Sequence, residues 1–312
     1  MISLPSRHAA PAALVALILI WAYSWVIMKQ MMQYAGPFDF AALRYLCGAL
    51  LLMLFMVLGG HSLRPPPLAL TAVVGLCQTT AFQGLAQWAL VSGGAAHTSM
   101  LAYTMPFWAI LLAWWLLRER PGARQWAGIV LAAIGLICIM KPWQGLGTLH
   151  SALLAVASGV CWALGTVLTK FTLARHRASA LAFTAWQMLL GALALCVVAL
   201  AVPSRPIQWT PQFIYGMLYS VVPATSLAWV LWTFVVRNLS TTVASVSSLG
   251  VPVTAVLMAW IILHEHLDGA DVLGIALIAA GLFSVSGAAR SLRHAVSRKR
   301  HLRDAKARSP RS

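Results

Sequence analysis

Tyr103–Arg120 reads YTMPFWAILLAWWLLRER, and the chain carries this arrangement twice. Pro106 and Glu119 stand 13 residues apart, and so do Pro252 and Glu265 in the later stretch VPVTAVLMAWIILHE. Both landmarks shift by 146 positions between copies, as do Gly128 and Gly135 on passing to Gly274 and Gly281. Earlier in each copy, Trp21 and Lys29 of WAYSWVIMK match Trp162 and Lys170 of WALGTVLTK at a shift of 141. Landmarks kept in one order at nearly one shift mean an internal duplication.

Composition says what solvent the two halves face. Of 312 residues, 61% are hydrophobic and 9% charged, whereas a soluble domain carries about 25% charged residues to face water. The chain therefore reads as a polytopic membrane protein. A cleaved secretory leader over residues 1–33 is disfavoured, because Trp21–Lys29 has its internal copy and no small-residue cleavage site follows Ile27. The five cysteines all lie in apolar runs without metal-type spacing, so they read as packing residues. The net charge of +16 does not point to nucleic acid, since nine of the 22 Lys and Arg follow residue 289. A basic tail beside a membrane helix reads as a topology anchor touching anionic lipid.

Runs long enough to cross roughly 30 Å of hydrocarbon fall at about 11–32, 38–58, 68–90, 94–117, 122–140, 148–171, 179–201, 212–236, 241–263 and 270–289. The predicted fold is all-α: ten transmembrane helices in two five-helix repeats, 1–146 and 147–289, followed by a disordered basic tail at 290–312. Positive charge sets the orientation. With the N-terminus inside, Arg7, Arg64, Arg118, Arg120, Arg124, Arg175, Arg177, Arg237 and the tail are cytoplasmic. Lys29, Lys141 and Arg205 face out with most of the acids. Five spans per repeat is odd, so the second repeat enters the membrane inverted. A gap between inverted halves can open to either face, which is the architecture of a transporter.

Several residues suit such a gap, each with a plainer reading beside it. Trp21 and Trp162 fall near mid-span, away from the interfaces where tryptophan collects, and form cavity walls or pack between helices. Arg44 lies about one and a half turns into span two, where an arginine needs a partner; Asp39 and a substrate carboxylate are the candidates. Lys29 lies at the outer end of span one and can snorkel. Thr80, Gln83 and Gln87 make a polar stripe that lines a wet cavity or glues helices. Tyr219, Trp229 and Trp232 supply an aromatic counterpart in span eight. His97 near the start of span four passes protons or is a hydrogen-bonded interfacial histidine. Pro106 and Pro252 are hinges or static kinks. Glu119 and Glu265 read as helix-end ion pairs or loop anchors. Gly128/Gly135 and Gly274/Gly281 allow close helix contact within one chain or between the chains of a homodimer.

With these residues in view, the chain resembles the EamA-type drug/metabolite transporters over nearly its whole length. The likeness rests on Trp21 with Lys29, Arg44, Tyr103 with Pro106 through Glu119–Arg120, and Gly128 with Gly135, much of it repeated in the second half. It implies a ten-helix inner-membrane exporter or exchanger of small metabolites such as amino acids. The copies differ: Gln187 stands where Arg44 does, and His264 and His266 flank Glu265 where arginines flank Glu119.

The expected pathway is Trp21, Lys29, Arg44, Gln83, Gln87, His97, Tyr103, Trp162, Gln187, Trp229 and Trp232, lined by spans one to four and six to nine. Lys29 and Arg44 beside tryptophan favour a substrate joining a carboxylate to an apolar part. A passive facilitator or channel, or efflux of cationic or drug-like compounds, are the alternatives. No acid sits mid-membrane, so strong proton coupling is not evident. Paired catalytic carboxylates, a Ser/His arrangement and an HExxH motif are all missing, so no enzyme, cofactor or metal is expected.

Overall fold

The computed structural model describes residues 9–92, 95–145, 148–176, 179–263 and 268–285. Among these there is no strand. The first repeat comprises α1 (Ala9–Met31), α2 (Pro37–Leu58), α3 (Leu68–Val74), α4 (Phe82–Ser92), α5 (Ala95–Ala102), α6 (Met105–Leu117) and α7 (Ala123–Met140). The second comprises α8 (Leu149–His176), α9 (Ala180–Ala201), α10 (Pro211–Val221), α11 (Ala228–Asn238), α12 (Thr241–Ser248), α13 (Gly250–Leu263) and α14 (Gly269–Val285).

Among the described residues, nine helical runs are long and apolar enough to cross a membrane, and α14 is a shorter tenth. Large apolar side chains face outward, including Leu200 (88% exposed), Phe283 (83%) and Trp115 (78%). In water such a surface would aggregate; against lipid tails it is at home. The chain is a multi-pass membrane protein.

Local chemistry fixes the helix ends. Pro37 and Pro211 occupy first helical turns, where a missing N–H costs nothing. The hydroxyls of Ser179, Thr210 and Ser240 accept from the free N–H groups of Ala182, Phe213 and Val243.

Span three is interrupted by a π-helical turn, Gly75–Ala81, between α3 and α4. Span eight has its own, Val222–Leu227, between α10 and α11. Span four, expected as one run, breaks at Tyr103–Thr104, and span nine breaks at Leu249. Pro106 and Pro252 therefore lie in the first turns of α6 and α13 and not inside a continuous helix, so neither leaves a mid-helix carbonyl stranded. The duplication read from single residues thus extends to the irregularities of the backbone.

Spans five and ten pack on each other inside one chain. A Cβ added at Gly135 would meet the Gly274 carbonyl oxygen at 2.7 Å, and one at Gly281 would meet the Gly128 oxygen at 2.6 Å. Only glycine allows backbones this close. One end of the pair is fastened by the Lys141 ammonium, 2.7 Å from Asp268 and 2.9 Å from Asp271. At the other end the Ser284 hydroxyl donates to the Arg124 carbonyl.

Candidate functional site

The two halves hold each other through the π-helical turns. Arg44 on α2 donates from Nε to the Thr225 hydroxyl at 2.5 Å and from Nη2 to the Ala224 carbonyl at 3.2 Å. One turn on, the Ser226 hydroxyl donates to the Gly48 carbonyl. The other half repeats the scheme. The Thr79 hydroxyl donates to Gln187 Oε1 at 3.3 Å, and the Thr80 hydroxyl to the Gly191 carbonyl at 2.8 Å. Gly48 and Gly191 let span two of each half press against span three of the other. A π-helical turn suits this contact because its widened ladder leaves backbone oxygens for outside donors. The Ala224 carbonyl takes two, from Arg44 and from Trp21 Nε1.

Above the first of these contacts lies a central cavity of about 60 Å³. Trp21, Trp162 and Trp229 line it together with Arg44, Gln83, Gln87, Thr98 and Tyr103. The tryptophans interlock: Trp21 and Trp162 meet edge to face at 5.5 Å, and Trp162 and Trp229 lie 5.2 Å apart. Trp232 packs against them, 5.8 Å from both Trp21 and Trp162. A wider lateral groove of about 550 Å³ runs between α1 and α10. Among the described residues its polar lining is tyrosine and glutamine, and Tyr215 there is 73% exposed.

Arg44 is the one charged side chain lining the cavity among the described residues, and it is 3% exposed. Asp39, the acid expected beside it, instead accepts a hydrogen bond from Ser204 near the end of the span. No carboxylate among the described residues pairs with the guanidinium. The Tyr45 ring lies 5.4 Å from it and attracts the cation through its quadrupole. Gln83 donates to the Tyr45 hydroxyl at 2.7 Å. The polar stripe of span three is split by its π-helical turn: Gln83 and Gln87 reach the cavity, while Thr80 faces α9.

At the opposite end of the bundle the halves are tied by charge. Lys170 on α8 lies 2.5 Å from Glu119, and its ammonium also donates to the Leu239 carbonyl. The second Glu119 oxygen accepts from the Thr241 N–H at the start of α12. Arg118 just before it takes a left-handed conformation, φ 54°, which ends α6 and turns the glutamate toward α8.

Of the expected pathway, Trp21, Arg44, Gln83, Gln87, Tyr103, Trp162 and Trp229 meet at the cavity. Gln187 does not line it and is bonded to Thr79, and Trp232 packs against Trp21 without lining it. The side chains of Lys29 and His97, together with all of Glu265, His264, His266 and the 290–312 tail, lie outside the described residues. Sequence reading passed over Thr225 and Ala224, which hold Arg44, and Tyr45, Phe82 and Thr98 in the cavity wall. Nothing in the local sequence singles these out, because their partners lie far along the chain.

The profile of the EamA-like transporter family matches residues 10–141 and again 149–287. The chain is similar to "Uncharacterized transporter YvbV" of Bacillus subtilis, 30% identical over 290 residues covering 92% of this chain and 94% of that protein. "Uncharacterized transporter YoaV" of the same organism is 28% identical over 278 residues, covering 86% and 94%. The "Probable amino-acid metabolite efflux pump" of Escherichia coli is 24% identical over 292 residues, covering 89% and 94%. A crystal structure shares the fold with a TM-score of 0.78 over 92% of this chain and 99% of that one, at 20% identity.

Proposed function

The chain belongs to the EamA-like transporter family, and we propose that it exports or exchanges small metabolites, amino acids being one case, by alternating access. The observation that carries this reading is Arg44: a buried guanidinium, facing a cavity between two halves, with no carboxylate among the described residues to neutralise it. A buried cation left this way marks a ligand path in a membrane protein. The proposed unit is two inverted repeats, 1–146 and 147–289, with the basic tail 290–312 cytoplasmic and both termini inside the inner membrane. Chemistry on the substrate plays no part in it.

The mechanism follows from size and from the tie at the far end. About 60 Å³ holds a few waters, against roughly 300–1,000 Å³ for sites that bury a drug-sized ligand. The walls must therefore part to admit substrate. Glu119, Lys170 and Thr241 keep the other end closed meanwhile. Release there requires that tie to break, and the inverted symmetry lets the halves rock around the tryptophan cluster.

Purified protein in vesicles loaded with unlabelled amino acid tests the reading. A carrier takes up labelled substrate faster when substrate waits inside, and a passive pore does not. Equal uptake with and without internal substrate would replace the carrier with a facilitator. No uptake of any labelled metabolite would remove transport of this class.

A further inference from the structure

We infer that the cavity selects a monoanion carrying a neutral N–H donor on an apolar body, such as an N-acylated amino acid, in preference to a zwitterion or a cation. This rests on the proposed role of the cavity as the transport site and adds the substrate's charge and donor pattern.

Two side chains carry it. Arg44 has five N–H groups, and two donors are committed, Nε to Thr225 and Nη2 to Ala224. The remaining donors have no acceptor among the described residues and suit a carboxylate, the ligand a guanidinium fork fits best. Gln87 supplies the opposite need. It is 2% exposed, lines the same cavity, and its Oε1 has no hydrogen-bond partner. A buried acceptor left bare bears the cost of its lost hydration, which a ligand donor would recover. The donor must be uncharged, because the cavity already holds one cation and no acid among its described lining residues. An ammonium placed there would meet a like charge in a low-dielectric wall with nothing to offset it. Trp21, Trp162 and Phe82 leave the rest of the ligand an aromatic surface.

Four probes differing in charge and in the N–H donor test this on the purified full chain: N-acetylphenylalanine, 3-phenylpropionate, phenylalanine and phenethylamine. Equilibrium binding is measured for each. N-acetylphenylalanine is expected to bind tightest, about 3–10-fold better than 3-phenylpropionate, the worth of one hydrogen bond. Phenylalanine should follow, and phenethylamine should bind weakest. Gln87→Met should bring the first two probes level, and Arg44→Gln should remove the advantage of anion over cation. Ratios taken within one variant do not depend on how much of it folds.

Phenethylamine binding as well as the anions, or an unchanged ratio in Gln87→Met, would overturn the inference. So would no binding by any of the four. In that case the counterflow experiment decides separately: carrier-type exchange of another metabolite leaves the transport reading standing, and its absence removes both.

Discussion

The contact of Arg44 with the Thr225 turn and the contact of Gln187 with the Thr79 turn are two copies of one joint. Span two of one half meets the π-helical turn of the other through a side chain, a hydroxyl and a glycine one turn on. Four positions beyond Thr225 stands Trp229, and four beyond Thr79 stands Gln83. Where the first half offers Gln83 and Ala86 to the cavity, the second places Trp229 and Trp232 at the matching register and fills the space. Duplication supplied the same backbone twice, and divergence left one joint charged beside a cavity and the other neutral and packed. The architecture is repeated; the chemistry has one side.

The largest expected effect breaks that asymmetry. Arg44→Gln makes the charged joint resemble its partner and should lower the transport rate about 30-fold or more, from the loss of about 2–5 kcal/mol of charged contact. Its thermal midpoint should hold or rise, since a buried charge without a counter-ion is removed. Rates in vesicles at equal protein content, with melting in detergent, check both. A parallel fall in rate and midpoint would make Arg44 a packing residue.

Next come the glycines of the joints. Gly191→Val should destabilise by about 1–3 kcal/mol or more, because an added Cβ meets the Gly75 carbonyl oxygen at 2.6 Å. Gly48→Val should cost less, since its nearest neighbours are the tips of Thr225, Met188 and Ser226. Apparent melting temperatures in one detergent rank the pair. The reverse order would mean that the Gln187 joint is the looser one.

The smallest effect lies outside the cavity. Hydrogen bonds from Lys141 and from the Asp271 N–H, partly opposed by desolvation, hold the Asp268 carboxyl at about 2, below its ordinary 3.8. A depressed folded-state value adds stability above the unfolded value and loses it as pH falls from about 4 toward 2. Asp268→Asn should flatten that part of the melting profile and leave neutral pH nearly unchanged. An unaltered acid limb would show that the Lys141 contact does not fasten spans five and ten.

Much of this was legible in the sequence, for a physical reason. Hydrophobic length, breakers and the repeated Pro, Glu, Gly and Trp landmarks are local signals, so ten spans in two repeats could be read directly. The joints could not. Arg44 and Thr225 lie 181 positions apart, and no spacing within either span expresses their meeting. The nearby choice, Asp39, fails on geometry: five residues along a helix turn a side chain by roughly 140°, away from the cavity. The π-helical turns also escaped notice: Gly75–Ala81 holds a glycine and hydroxyls and Val222–Leu227 a proline and hydroxyls, but no single residue there dictates a widened helical ladder. They shift the facing of Thr80 against Gln83 that a regular helix would keep together.

The most direct test asks which face reaches the cavity when the far tie is cut. Ala86 lines the cavity, and Ala86→Cys in a chain with its five native cysteines replaced reports access to a membrane-impermeant thiol reagent. With Glu119 and Lys170 intact, reagent added from the side bearing Arg118 and Arg237 should label slowly. With Glu119→Gln it should label several-fold faster from that side, and more slowly from the other. Labelling from a single face at unchanged rates in both chains would contradict alternating access through this cavity.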